Sequence, residues 1–184
     1  MAVTPVHYSS ASVEWPTPQR FYNALNAEFG FTLDVAATHD NAKCPVYFME
    51  EDDGLLQDWV AMARGGAVWM NPPYKRPEYP CKPNCTKKKC AERGYHIAKY
   101  QPGLIDWIRK AYEESQRGAT VVCLIPSRTD TEMFHEYIHG KAEIRFVRGR
   151  LKFGSANNVA PFPSLVVIYR PNEEGAGVCR AISA

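Results

Sequence analysis

Long apolar runs are missing from this sequence. No segment approaches the ~18 consecutive apolar residues of a membrane-spanning helix. The opening segment, Met1 to Ser12, lacks the basic start and apolar middle of a secretory signal. Both absences lead to an expectation of a cytoplasmic protein with no membrane partner. There are only 6 cysteines in 184 residues, so a disulfide framework in a secreted miniprotein is not expected. Neither the glycine period of collagen nor a heptad bias is present. Net charge is also nearly absent, at +2.

What is present is the composition of an ordinary folded domain, 45% hydrophobic and 23% charged. The length suits one domain over residues 1–184, carrying a small insert over residues 75–101. The charge is unevenly spread. Between Lys75 and Tyr100 there are eight Lys or Arg against two acids, while the other 158 residues hold 14 basic and 18 acidic groups. A basic segment on a mildly acidic body is the footprint of a nucleic-acid partner. A solubilising surface loop would carry the same charge.

Apolar periodicity predicts a helix over Gln19–Phe29, with Phe21, Leu25 and Phe29 on one face. Thr17 is placed to cap it, with Pro18 at its first position. Phe31 to Ala36 reads as a buried strand with Asp34 near its end. Thr38 to Asp58 shows little periodicity. Ala67–Met70 is a second strand, Pro102 to Arg117 a helix, Thr120–Ile125 the clearest strand, and Thr131–His139 a helix. Ala142–Val147 is a further strand. Leu151–Phe153 and Leu165–Tyr169 are expected to pair around a loop. The first dozen residues and the tail from Pro171 are expected to be loosely ordered. Alternating strands and helices imply an α/β fold with a mostly parallel sheet. In such sheets ligands bind beyond the C-terminal strand ends, which brings Asp34 and Asn71 to one crevice.

Asn71-Pro72-Pro73-Tyr74 follows the second strand directly. Two prolines make a rigid corner and donate no backbone N–H. The corner offers acceptors, the Asn71 side-chain oxygen and the Pro72 carbonyl, beside the flat face of Tyr74. That combination suits a planar substrate with an exocyclic amine. Acceptors on both amine hydrogens favour a tetrahedral nitrogen and localise its lone pair, so no Ser, Cys or His nucleophile is needed. A simple strand-ending turn would use the same residue types.

Several stretches together carry a resemblance. They are Trp15-Pro16-Thr17-Pro18, Leu33-Asp34-Val35-Ala36-Ala37, Asn41-Ala42-Lys43-Cys44, Glu51-Asp52-Asp53-Gly54-Leu55, Asp58-Trp59 and Trp69 to Tyr74. Arg128 to Thr131, Arg148 to Phe153 and Ala160 to Ser164 complete the set. In this order the sequence resembles the phage-type, Dam-like DNA N6-adenine methyltransferases, which use S-adenosylmethionine. The resemblance implies a Rossmann-like methyltransferase fold with a mostly parallel sheet and an antiparallel strand near the C-terminus. It implies that Asn71 and Pro72, braced by Pro73, bind the target amine and that Tyr74 stacks on an adenine flipped out of the duplex. It implies that Asp34 and Ala36 border the methyl-donor pocket, that Thr17 and Pro18 help to close it, and that Asp58 or Asp53 contacts the donor's adenosine. It also implies DNA as the partner, no obligate protein partner, and a bacterial host if the gene is phage or prophage encoded. Many methyltransferases carry a glycine-rich loop after the first strand; here Asp34-Val35-Ala36-Ala37-Thr38 has none.

The insert contains Cys81, Cys85, Cys90 and His96 within 16 residues, a donor set suited to structural zinc. An iron–sulfur cluster normally takes four cysteines. A basic loop with incidental cysteines is the bland alternative. Lys82, Lys87, Lys88, Lys89 and Arg93 lie among the ligands and are candidates for DNA phosphates. Arg145, Arg148, Arg150 and Lys152 form a second basic cluster, suited to phosphates or to guarding a strand edge. His135, Glu136 and His139 spell H-E-x-x-H, but no third ligand accompanies them. A non-catalytic, zinc-stabilised nucleic-acid-binding protein on a methylase scaffold is the alternative to the enzyme. Within the enzyme class, cytosine N4, RNA bases and protein glutamine are alternative substrates, and the basic insert argues for nucleic acid over protein.

Overall fold

The computed structural model describes residues 15–153, 159–171 and 178–184. Helix α1 spans Gln19–Phe29 and buries Phe21, Tyr22 and Leu25. Gly30 ends it with φ 66°, a left-handed conformation open to glycine without strain, and its N–H closes on the Asn26 carbonyl. That turn delivers the chain into strand β1, Phe31–Asp34. Strand β2 (Val46–Tyr47), a 3₁₀ turn (Glu50–Asp52), helix α2 (Trp59–Ala63) and strand β3 (Ala67–Met70) follow. The insert contributes α3, Lys88–Arg93. Then come α4 (Leu104–Gln116), β4 (Val121–Pro126), a π-helical turn (Phe134–Ile138), β5 (Glu143–Arg148), β6 (Ser164–Tyr169) and β7 (Cys179–Ser183).

Among the described residues seven strands form one sheet in the order β2-β1-β3-β4-β6-β5-β7. Pairs β2–β1, β1–β3, β3–β4 and β5–β7 are parallel. Only β6 runs against its neighbours, antiparallel to both β4 and β5. This is the expected mixed α/β sheet, consistent with a methyltransferase fold. Strands β3, β4 and β6 are buried throughout. Their alternating side chains therefore feed two cores. One holds Val68, Met70, Val121, Cys123, Leu165 and Val167 with Trp59 and Ile108 from α2 and α4. The other holds Trp69, Val122, Leu124, Val166 and Ile168 with Phe21, Tyr22 and Leu25 of α1.

Two of the buried charges are held by ion pairs. Arg145 of β5 makes a bidentate bond to Glu28 of α1, both distances 2.6 Å, and a 2.7 Å bond to Glu143. Glu114 of α4 is buried between Lys110 and Arg117 and accepts from the Val60 amide of α2.

Several expectations need correcting. Thr17 does not cap α1: Pro18 occupies the cap position, and the Thr17 hydroxyl is buried without a partner. Thr38 to Asp58 carries β2 and a 3₁₀ turn, elements too short for periodicity to reveal. Leu151–Phe153 is not a strand paired with β6, because β4 and β5 already occupy both edges of β6. The tail beyond Pro171 supplies β7, whose mostly exposed face hides it from hydropathy. Arg145 is consumed by its ion pairs and leaves the second basic cluster. The reading of the first dozen residues falls outside the described residues. Among the described residues no helix is long and apolar enough to cross a membrane.

Gly54 sets how closely the 50–58 loop approaches the end of β1. A methyl group added there would overlap the Val35 carbonyl and press on the Trp107 ring. Gly54→Ala should therefore cost about 2 kcal/mol, the scale of a core overpacking that backbone must absorb. Thermal unfolding should show this as a fall of roughly 4–8 °C in Tm.

Candidate functional site

Strands β1 and β3 end side by side and β4 runs on past them, with Asp34 paired to Trp69 and Met70 to Cys123. Asp34 and Asn71 consequently share the C-terminal edge of the sheet. Asn71 follows Trp69 by two residues, so it continues the face that packs against α1.

The Asn71 carboxamide is pinned at both ends. Its Nδ2 donates to the Trp15 carbonyl at 2.6 Å, and its Oδ1 accepts from the Tyr74 hydroxyl at 2.6 Å. A carbonyl can only accept, so the amide nitrogen must face Trp15 and the oxygen must face Tyr74. The Tyr74 hydroxyl also lies 3.0 Å from the carbonyl of Leu124, one residue beyond the last β3–β4 pair. Burial pushes the Tyr74 phenol well above its ordinary pKa, which keeps it protonated as the donor. Phe162 meets the Tyr74 ring edge-on at 5.6 Å, and Trp15 meets Phe162 at 5.2 Å. Pro72 is buried, and its carbonyl has no donor among the described residues.

Asp34 is 2% exposed. Its Oδ2 accepts from the Lys43 amide at 3.0 Å and its Oδ1 from the Ala36 amide at 3.3 Å. The Asn41-Ala42-Lys43-Cys44 stretch thus folds back over the strand end, helped by Asn41 Oδ1 accepting from the Thr38 amide at 2.7 Å. Burial raises the Asp34 carboxyl from 3.8 to about 6, against the two amides and the nearby Lys43 charge.

The other predicted donor-site residues separate. Thr17 and Pro18 enter α1 just after Trp15, beside the pinned Asn71. Asp53 sits in a left-handed conformation immediately before Gly54, at the end of β1. Asp58 is not brought to the crevice. It caps α2, accepting from the Ala61 amide at 3.0 Å, and pairs with Arg117 at 2.6 Å. Helix α4 leads from the end of β3 back to the start of β4, so Arg117 marks the opposite edge of the sheet. Arg117 and the Ala61 amide hold the Asp58 carboxyl below its usual range.

The insert leaves from the same sheet edge. Its base is closed by the Lys75 carbonyl to the Leu104 amide (2.8 Å) and by a reciprocal bridge between Glu78 and Gln101. The donor atoms of Cys81, Cys85, Cys90 and His96 lie within 4.8 Å of one another. Cys90 Sγ is 3.5 Å from that of Cys81 and 3.7 Å from that of Cys85. A tetrahedral zinc–thiolate centre, with bonds of ~2.3 Å, needs sulfur–sulfur edges of ~3.8 Å. The cluster can therefore hold a metal. His96 draws the Cys81 thiol down to about 6, whereas burial raises that of Cys90.

The basic candidates also divide. Glu78 binds Lys89 and, at 2.7 Å, Arg93, whose guanidinium also reaches Cys90 Sγ at 3.4 Å. Arg93 is thereby a strut of the insert. Lys88 meets Glu92 loosely at 3.7 Å. Lys82 and Lys87 are exposed, with no carboxylate partner among the described residues.

The family model described as DNA N-6-adenine-methyltransferase (Dam) matches residues 8–182. The chain belongs to the Dam family of DNA N-6-adenine-methyltransferases. YfdM of Escherichia coli (strain K12), a protein named for a methyltransferase activity, is 41% identical over 64 residues, 33% of this chain and 70% of that protein. The DNA N-6-adenine-methyltransferase of Escherichia phage T1 is 25% identical over 138 residues. That match covers 74% of this chain, which spans only 45% of the phage protein's length. Membership of the Dam family implies use of S-adenosylmethionine and a DNA substrate. A buried acceptor at the end of β1 and an unpartnered buried Thr17 hydroxyl at the entry to α1 fit a donor that carries cationic groups and hydrogen-bonding termini.

Contacts missed from the sequence are main-chain ones: the Trp15 carbonyl that holds Asn71 and the Lys43 amide that holds Asp34. Ser164, buried and unpartnered at the start of β6, was also missed. Its place in the Ala160 to Ser164 stretch was the available signal.

Because the folded state holds the Asp34 proton more tightly than the unfolded chain, charging it costs stability. The wild type should lose stability relative to Asp34→Asn as pH rises from about 4 to about 6, and the gap should be constant above that. Urea unfolding of both proteins across this range would measure it.

Proposed function

We propose that this protein transfers a methyl group from S-adenosylmethionine to the exocyclic N6 amine of adenine in DNA. The observation that carries the reading is the pinned Asn71 carboxamide beside the unpartnered Pro72 carbonyl, at the strand edge shared with buried Asp34.

The Asn71 oxygen keeps one lone pair after accepting from Tyr74. It accepts one N–H of the target amine, and the Pro72 carbonyl accepts the other. Both acceptors are held before substrate arrives, so little reorganisation is spent during the reaction. They draw the amine nitrogen towards tetrahedral geometry and free its lone pair for attack. Proton loss from the product amine follows through the same acceptors to solvent. Pro73 keeps the corner rigid, and the ring of Tyr74, fixed by its own hydroxyl, is the platform on which the flipped adenine stacks. Asp34, the Ala36 backbone, Thr17, Pro18 and Asp53 line the donor side; Asp58 serves as a helix cap. When bound there, the sulfonium cofactor supplies the activated methyl group. A positive donor favours the ionised form of Asp34.

The insert reads as a structural zinc module. Three thiolates and His96 close a segment with little apolar core of its own, so metal binding and folding are coupled. Lys82, Lys87, Lys88 and Lys89 face DNA phosphates, with Lys89 already partly neutralised by Glu78.

Transfer from labelled S-adenosylmethionine to mixed-sequence DNA, with digestion and mass spectrometry, tests the reaction. The wild type should yield N6-methyladenine, and Asn71→Ala should reduce the yield at least 100-fold, the scale of losing one preorganised acceptor. N4-methylcytosine instead would reassign the amine, and no methylated nucleoside would overturn the reading. Metal analysis of the purified chain should give about one zinc per molecule. Cys85→Ser and Cys90→Ser should lower it, and unchanged metal content would remove zinc from the account.

A further inference from the structure

Among the described residues, the exposed large aromatic side chains are Tyr79, Tyr95, Tyr100 and Phe146, at 69%, 62%, 40% and 41% exposure. Three of the four lie on the insert. The remaining described aromatic residues largely pack into the two cores. A solubilising loop gains nothing by presenting tyrosine rings.

Their arrangement is specific. The reciprocal Glu78–Gln101 bridge puts Tyr79 across from Tyr100, and their rings lie 5.1 Å apart. Tyr100 is anchored from below, donating its hydroxyl to Asp106 at 2.7 Å. Tyr79 thus has a supported ring with most of its surface in solvent. Tyr95 carries the Arg93 guanidinium over one face at 5.0 Å, and Arg93 is held by Glu78 and Cys90. The same insert carries Lys75, Arg76, Lys82, Lys87 and Lys99, all exposed and none with a carboxylate partner among the described residues.

Supported aromatic faces set among unpaired cations match one ligand chemistry, bases with free π-faces on a polyanionic backbone. The π-faces of bases inside a duplex are already covered by their neighbours. We propose that Tyr79 and Tyr95 stack on unpaired bases of single-stranded DNA, so that the insert grips locally opened DNA next to the Asn71 corner. The inference rests on the DNA reading above, and it adds which strand state the insert recognises and which residues read it.

The test is fluorescence anisotropy of the full chain, as purified with its metal and without methyl donor. The probes are a labelled ~20-nucleotide mixed-sequence single strand, its duplex, and an RNA of the same sequence. The wild type should bind the single strand more tightly than the duplex. Tyr79→Ala and Tyr95→Ala should each weaken single-strand binding about 5- to 100-fold, with metal content and circular dichroism unchanged. Tyr79→Phe should retain the affinity, because a stacking ring needs no hydroxyl. The salt dependence should be unchanged in the tyrosine variants, whereas Lys82→Ala and Lys87→Ala should each flatten its slope by about 0.7. Full single-strand affinity in both alanine variants would overturn the proposal, as would preference for the duplex or for RNA. Tyrosine-dependent single-strand binding without methyl transfer would fault the proposed reaction alone, and transfer with tyrosine-independent binding would fault this inference alone.

Discussion

The hydrogen bond from Asn71 Nδ2 to the Trp15 carbonyl joins the chain just before α1 to the end of β3, 56 residues later. It settles the orientation of the carboxamide, and the Tyr74 hydroxyl secures the other end. Loss of the Trp15 contact would let the side chain rotate and exchange an acceptor for a donor at the corner. The Trp15, Phe153 and Phe162 rings pack around that contact, so an aromatic cluster holds a polar geometry in place. The site is thus built on rigid strand ends and supported by packing rather than by a flexible loop.

Buried charged groups are held in two ways among the described residues. Glu114 and Arg145 are buried with charge partners, which offset their desolvation, and the Arg145–Glu28 pair ties α1 to the sheet. Asp34 is buried with backbone amides but no direct ion pair, and its carboxyl is raised to about 6. The first kind holds the fold together. The second costs stability, and it suits the place beside a cationic methyl donor proposed for Asp34.

The insert extends the same logic. It leaves the sheet at Lys75 and returns at Gln101, with its base pinched beside the corner. One carboxylate, Glu78, gathers Lys89 and Arg93 inward and leaves other lysines facing solvent. A small segment with four potential metal ligands thereby presents cations and tyrosine rings on its outside, next to the residues proposed to act on DNA.

Much of this protein was legible in the sequence. Helices α1 and α4 and strands β1, β3, β4, β5 and β6 follow from apolar periodicity, because each buries a face large enough to pattern its residues. The Asn71 corner, Asp34 and the Cys81–His96 donor set were readable because their chemistry lies in residue type and close spacing. The tertiary structure alone decided the rest. Strand β7 is mostly exposed and leaves no hydropathy signal; only its pairing with β5 makes it a strand. Asp58 reads as the better adenosine candidate and Asp53 as the runner-up in the sequence, yet in the folded chain Asp58 caps α2 and pairs with Arg117. Lys89 and Arg93 look like free cations until Glu78 folds between them. Residue chemistry is local and can be read in one dimension. Which groups remain unpartnered depends on contacts between distant segments, and those exist only once the chain has folded.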